Sequence, residues 1–155
     1  MKIDFKKLIT SIAIPLGVGA ASAFLSMDNM KKFSSLNQPP LSPPAWLFPV
    51  VWSVLYILMG IASYLVAASD KPARSKTALT VYGVQLFFNF MWSIIFFNLE
   101  AYLFAFIWLV ALFLLILATA KLFYDIDKRA GYLMIPYILW VAFAGYLNFA
   151  IYLLN

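Results

Sequence analysis

The spacing of charge is what most limits the folds open to this chain. Its eleven basic and six acidic side chains fall in short clusters. The charge-free stretches between them are residues 8–27, 33–69, 77–99, 101–120 and 130–155. The hydrocarbon core of a bilayer is about 30 Å thick and takes roughly 20 apolar residues as helix, so each stretch can hold one span. A soluble globule is excluded on the same grounds: only 11% of the 155 residues are charged and the mean hydropathy is +0.93, whereas about a quarter of an ordinary soluble domain is charged. The expectation is an all-α protein, an integral membrane bundle of five transmembrane helices. It forms a single domain over residues 1–155, with helices at about 8–27, 45–68, 77–97, 101–123 and 131–154.

The connections carry their own signals. Residues 28–44 form the one long loop, and its Pro39, Pro40, Pro43 and Pro44 lack amide donors and fix φ, which excludes a helix interior and suits an ordered cap or a lid. The link Asn98–Glu100 is so short that the third and fourth spans must be antiparallel neighbours. Lys6-Lys7 followed by an apolar run ending in Ala21-Ser22-Ala23 has the outline of a signal peptide. The run is nevertheless long for one, and Gly17, Ala21, Gly19 and Ala23 recur at the four-residue spacing that lets helices approach closely, so a retained first helix is expected. Counting Lys and Arg on alternate sides gives nine against two, which puts the N-terminus in the cytoplasm and the C-terminus outside. Together with the lack of an obvious organelle presequence, this points to a bacterial cytoplasmic membrane.

The chain has no Cys and no His. Disulfides, thiolate nucleophiles, imidazole bases and the usual ligands of zinc, copper or haem are thereby excluded. The net charge of +5 sits at span ends and reads as topology, not as a nucleic-acid surface. No span has a charged residue near its centre, where pumps, ion-coupled transporters and voltage sensors usually carry one.

The spans carry amides and rings instead. On the third, Gln85, Asn89 and Ser93 repeat every four residues beside Trp92 and Phe96; on the fifth, Trp140, Ala144 and Asn148 do the same; on the second, Trp52, Tyr56 and Gly60. Residues at this spacing share one face of a helix, and an amide facing lipid without a partner is costly, so the stripes point inward. Two readings of them stand side by side: hydrogen bonding between helices, and a cavity for a ligand. Trp46 and Tyr102 also read as interfacial anchors. A pocket of indole faces and a few amides without charge suits a large, planar, apolar guest.

Three runs, PPLSPPAWLFPVVWSVLYILMGIA (39–62), QLFFNFMWSIIFF (85–97) and AGYLMIPYILWVAFAGYLNFAIYLLN (130–155), resemble the TspO/MBR family of tryptophan-rich sensory and translocator proteins, which includes the peripheral benzodiazepine receptor. The likeness covers nearly the whole chain. It implies a five-helix membrane bundle, commonly a homodimer, whose first loop closes a pocket for protoporphyrin IX or a related tetrapyrrole and for synthetic isoquinolines and benzodiazepines. Carried over residue by residue, the family's pocket falls on Trp52, Asn89, Trp92, Trp140 and Ala144, with Tyr56, Phe90 and Asn148 beside them. The porphyrin is a ligand here; no cofactor and no metal are expected. Three features depart from the family. Lys32-Phe33 stands where it often has Trp-Tyr, Gln38-Pro39 where it has Lys-Pro, and Tyr152 lacks the following Lys or Arg of the animal cholesterol pattern.

Three functions follow as expectations. The first is a membrane sensor or carrier that binds a tetrapyrrole. The second is an enzyme: the resemblance implies photo-oxidative porphyrin degradation, with Trp52 and Trp140 as the redox pair, and a chain without His or Cys would have to rely on light, oxygen and indole radicals in place of acid–base steps. The third is a regulator of a partner protein in the membrane, acting through the small residues of the first helix or the nearly all-apolar fourth.

Overall fold

Helix boundaries follow local chemistry. The Asp4 carboxylate accepts from the Lys7 amide (3.1 Å) and caps α1, Phe5–Phe33. The proline-rich segment then holds the chain open until α2, Leu47–Ala67. Pro72 stands in the first turn of α3, Pro72–Ser93, where its missing amide hydrogen costs nothing. A π-helical turn, Ile94–Asn98, continues α3, and α4 runs from Tyr102 to Ile126. Asp127 caps the short α5, Lys128–Leu133, accepting from the Arg129 amide (2.9 Å). The Arg129 guanidinium beside it holds this carboxyl below the usual carboxylate range. A break at Met134, just before Pro136, separates α5 from α6, Ile135–Leu154.

These elements come from a computed structural model that describes residues 2–155. With α5 and α6 counted as one span, five helices are long and apolar enough to cross a membrane, and among the described residues there is no strand. The five-span all-α architecture is as expected; three boundaries are not. The first helix continues past residue 27 to Phe33, because Asp28, Lys31 and Lys32 are exposed and no breaker precedes Ser34. The loop is therefore residues 34–46, not 28–44. At 29 residues and 1.5 Å per residue, α1 measures about 44 Å, well beyond the hydrocarbon thickness. The third helix starts five residues earlier than expected, at Pro72, and ends in a π turn where an α-helical end at 97 is expected.

α1 packs along α2 and also touches α3 and the π turn, whereas α4 lies against α3, α5 and α6. The antiparallel pairing of the third and fourth spans follows from their three-residue link. Outward residues such as Phe24, Ile107, Leu114 and Leu139 are exposed, as lipid-facing positions must be. The loop is tied to the end of α6 by an exchange between two asparagines. The Asn37 amide donates to Asn155 Oδ1 (3.1 Å), Asn155 Nδ2 donates to the Asn37 carbonyl (3.2 Å), and Tyr146 donates from its hydroxyl to the Pro40 carbonyl (2.8 Å). Pro39 is buried beneath it.

Close approach of α1 and α2 depends on Gly60, where an added Cβ would land on the backbone of Ser11 and Ile12. Gly60→Ala is expected to destabilise by about 1–3 kcal/mol through overpacking. Gly83→Ala, which meets no neighbour within 4 Å, should be neutral or stabilising by up to about 1 kcal/mol. Thermal unfolding of both variants in nonionic detergent checks this; equal behaviour would refute the packing argument.

Candidate ligand-binding site

Asn89 lies fully inside the bundle, and each of its amide atoms has a protein partner. The Tyr56 hydroxyl donates to Asn89 Oδ1 (2.9 Å), Asn89 Nδ2 donates to the Tyr137 hydroxyl (2.7 Å), and that hydroxyl donates to Gln85 Oε1 (2.8 Å). Gln85 Nε2 ends the chain on the Met59 sulfur (3.8 Å). This relay crosses from α2 to α3 to α6 and back, with every member buried. One to two helical turns along α3, Trp92 Nε1 donates to Asn148 Oδ1 (3.0 Å), and Asn148 Nδ2 donates to the Tyr102 carbonyl (2.8 Å).

Tyr56 and Asn89 of the first set and Trp92 and Asn148 of the second border a cavity of about 300 Å³. α1 contributes Gly19, Ser22 and Ser26; α2 contributes Phe48, Trp52 and Tyr56; α3 and its π turn contribute Asn89, Trp92, Phe96 and Phe97; and α6 contributes Trp140, Ala144 and Asn148. Among the described residues no charged side chain lines it. Its walls are largely rings. Trp52 stacks on Tyr56 (centroids 5.6 Å apart) and lies 6.5 Å from Trp92, while Trp140 meets Phe48 edge-on at 5.9 Å. The Tyr56 ring fits here because Gly19 has no side chain: a Cβ there would collide with it.

The structure thus brings seven of the eight sequence-derived residues, Trp52, Tyr56, Asn89, Trp92, Trp140, Ala144 and Asn148, onto one cavity. Phe90 is the exception. One residue beyond Asn89, it is turned about 100° around the helix, is half-buried and does not line the cavity. The two readings of the polar stripes are both realised, on different atoms. The amide and phenol edges of Tyr56, Asn89, Trp92 and Asn148 bond one another across helices, and the ring faces beside them line the space.

Sequence reasoning missed Tyr137, the centre of the relay. Its signal was its position three residues before Trp140, on the Trp140–Ala144–Asn148 face. It also missed Ser22 and Ser26, one turn apart on α1, where small residues had been read only as helix contacts. The π turn has no signature in the sequence; by inserting an extra residue it sets both Phe96 and Phe97 on the cavity. Such turns recur at functional sites.

Two polar atoms in this lining have no partner. The Trp140 indole nitrogen and the Ser26 hydroxyl are both inaccessible to solvent and unbonded. Buried donors are normally satisfied, so these two are exceptions, carried by residues that line the cavity.

The TspO/MBR family model matches residues 11–154. The chain is similar to the tryptophan-rich protein TspO of Archaeoglobus fulgidus, 37% identical over 99% of either chain. It is similar to protein CrtK of Rhodobacter capsulatus, 40% identical over 79% of this chain and 78% of the relative. It is also similar to the human translocator protein, 30% identical over 92% of this chain and 85% of the relative.

The relay yields a stability prediction. Tyr137→Phe leaves Gln85 Oε1 and an Asn89 N–H without these partners inside the bundle, and should lower stability by about 0.6–2 kcal/mol, the range for hydrogen bonds inside membrane proteins. Thermal unfolding in nonionic detergent measures it, and an unchanged midpoint would show that the relay contributes nothing.

Proposed function

The chain belongs to the TspO/MBR family of integral membrane proteins, and we propose that it binds a tetrapyrrole such as protoporphyrin IX inside the helix bundle, as a membrane sensor or carrier. The observation that carries this reading is the pairing of an uncharged, ring-lined cavity with an indole N–H, that of Trp140, left without a partner. Most ligand sites combine apolar walls with a few orienting polar groups. Indole and phenyl faces offer stacking surface to a flat macrocycle, and a turn of the Trp140 ring or of the Ser26 side chain would bring an unbonded donor to it. In the same reading the chain sits in a bacterial cytoplasmic membrane with its N-terminus inside, on the strength of its charge asymmetry, and works as a homodimer.

The cavity, at about 300 Å³, lies at the low end of the range of about 300–1,000 Å³ for ligand sites. A macrocycle therefore needs the rings at the loop end to turn aside. Phe33, Phe48, Phe96, Phe97 and Trp140 touch one another through ring edges, and such contacts reform in other rotamers without stranding a hydrogen bond.

Titration of the full chain in nonionic detergent with protoporphyrin IX in the dark, followed by tryptophan quenching, should show saturable binding. Trp140→Ala and Asn89→Ala should each weaken it by about tenfold, the equivalent of one buried hydrogen bond and its packing. Unaltered affinity in both variants would remove the cavity as the site. Repeating the titration under illumination tests the enzymatic reading, since Trp52 and Trp140 both line the cavity. Porphyrin bleaching that needs the protein and vanishes in a Trp52→Phe/Trp140→Phe double variant would make the chain an enzyme.

A further inference from the structure

Beside the main cavity lies a second hollow of about 200 Å³. It is bounded by Asn29, Lys32 and Glu100, and it shares Phe33, Phe96 and Phe97 with the main cavity. The two spaces differ in kind. The large one has no charged lining, whereas the small one has one cation and one anion, Lys32 Nζ standing 3.4 Å from Glu100 Oε1. Among the described residues, Lys32 is the one basic side chain that borders either space.

Glu100 is held in an uncommon way. Its φ is +51°, a left-handed conformation that costs a residue with a Cβ about 1 kcal/mol or more and that persists only where the surroundings impose it. It occupies the link between the π turn and α4. Next to it, Asn98 accepts from Asn29 Nδ2 (3.0 Å) and donates to the Leu25 carbonyl (3.0 Å), joining that link to α1. The chain's geometry thus presents a carboxylate to Lys32 at the rim of a ring-lined passage.

We infer that the hollow is a carboxylate subsite of the ligand cavity: Lys32 receives the acid group of a planar ligand whose ring system occupies the main cavity, and Glu100 is the resident carboxylate that this acid displaces. The inference rests on the tetrapyrrole reading and extends it to the ligand's ionised edge. A carboxylate cannot remain within the main cavity, where it would be an unpaired buried charge. The shared Phe33, Phe96 and Phe97 are what separates that space from Lys32. The ion pair is itself half in water, so exchanging one carboxylate for another costs little. The main cavity then selects for a flat apolar body, and the hollow selects for an acid over its ester.

The test is a titration of the full chain in nonionic detergent with protoporphyrin IX and with its dimethyl ester. It uses the unaltered protein, Lys32→Gln, Lys32→Arg and Glu100→Gln. Lys32→Gln should weaken binding of the acid by about two- to five-fold, the range of a solvent-exposed ion pair. Lys32→Arg should retain it. Glu100→Gln, which removes the competing carboxylate, should tighten acid binding by a similar factor, and the ester should be indifferent to all three changes. The acid's advantage should also shrink as salt screens the pair. If the pair is only a structural tie, Lys32→Gln and Glu100→Gln would act in the same direction and on both ligands, and the subsite is overturned. Equal affinity for acid and ester in the unaltered protein overturns the subsite alone. Failure of both ligands to bind overturns the tetrapyrrole reading and the subsite with it.

Discussion

The hydrogen bond from Asn89 to the Tyr137 hydroxyl joins α3 to α6 where no water can compete, and the arrangement of the remaining helices depends on it. In hydrocarbon an amide cannot turn to solvent, so its partner must be protein. The partners recruited are Tyr56 from α2 and Tyr137 from α6, whose hydroxyl donates onward to Gln85 of α3, which fixes the mutual rotation of three helices. Hydrophobic burial could not do this, because lipid tails are as apolar as the side chains they replace and give no preference for one rotation over another. Direction comes from the relay, and closeness comes from glycine. Gly19 admits the Tyr56 ring, and Gly60 admits the backbone of α1.

A cavity then arises as a remainder. The relay draws α2, α3 and α6 together at one level, and the Trp92–Asn148–Tyr102 bonds draw α3, α6 and α4 together at another. Several of the lining positions on α1 and α6 are small: Gly19, Ser22, Ala23, Ser26 and Ala144. The Tyr56 and Trp92 rings cannot fill the gap without abandoning their hydrogen bonds. Polar edges are spent on structure and ring faces are left for a guest, which is why the site is uncharged although its helices contain several polar residues.

Much of this could be read from the sequence. Charge spacing alone located five spans, because the cost of placing a charge in hydrocarbon leaves few other solutions. The four-residue stripes located seven lining residues, because a helix has one inward face. What could not be read has physical reasons. Phe90 was carried over by likeness to the family, and helical rotation turns it away. Tyr137 had no polar neighbour at four-residue spacing to mark it. The end of α1 was misplaced because charges were taken as the end of a helix, when they mark only the end of the hydrocarbon. The π turn depends on how Ile94–Asn98 settle against α1 through Asn29 and Leu25, and contacts so distant in sequence leave no local trace.

The two ends of the cavity are held by different forces, and they will respond differently to a guest. At the deep end the polar atoms of the relay are paired with one another, the Tyr137 hydroxyl twice, so displacing one leaves a buried donor or acceptor without its partner. At the loop end, Phe33, Phe48, Phe96, Phe97 and Trp140 meet only through ring edges, and dispersion contacts of that kind are individually small and not directional. Above them the loop is latched to α6 by amide exchange between Asn37 and Asn155, on an exposed edge where water can replace each bond. The contacts that can give without loss of a hydrogen bond therefore lie toward the loop and the π turn, the side on which Lys32 and Glu100 lie, and those that cannot lie at Asn89 and Tyr137.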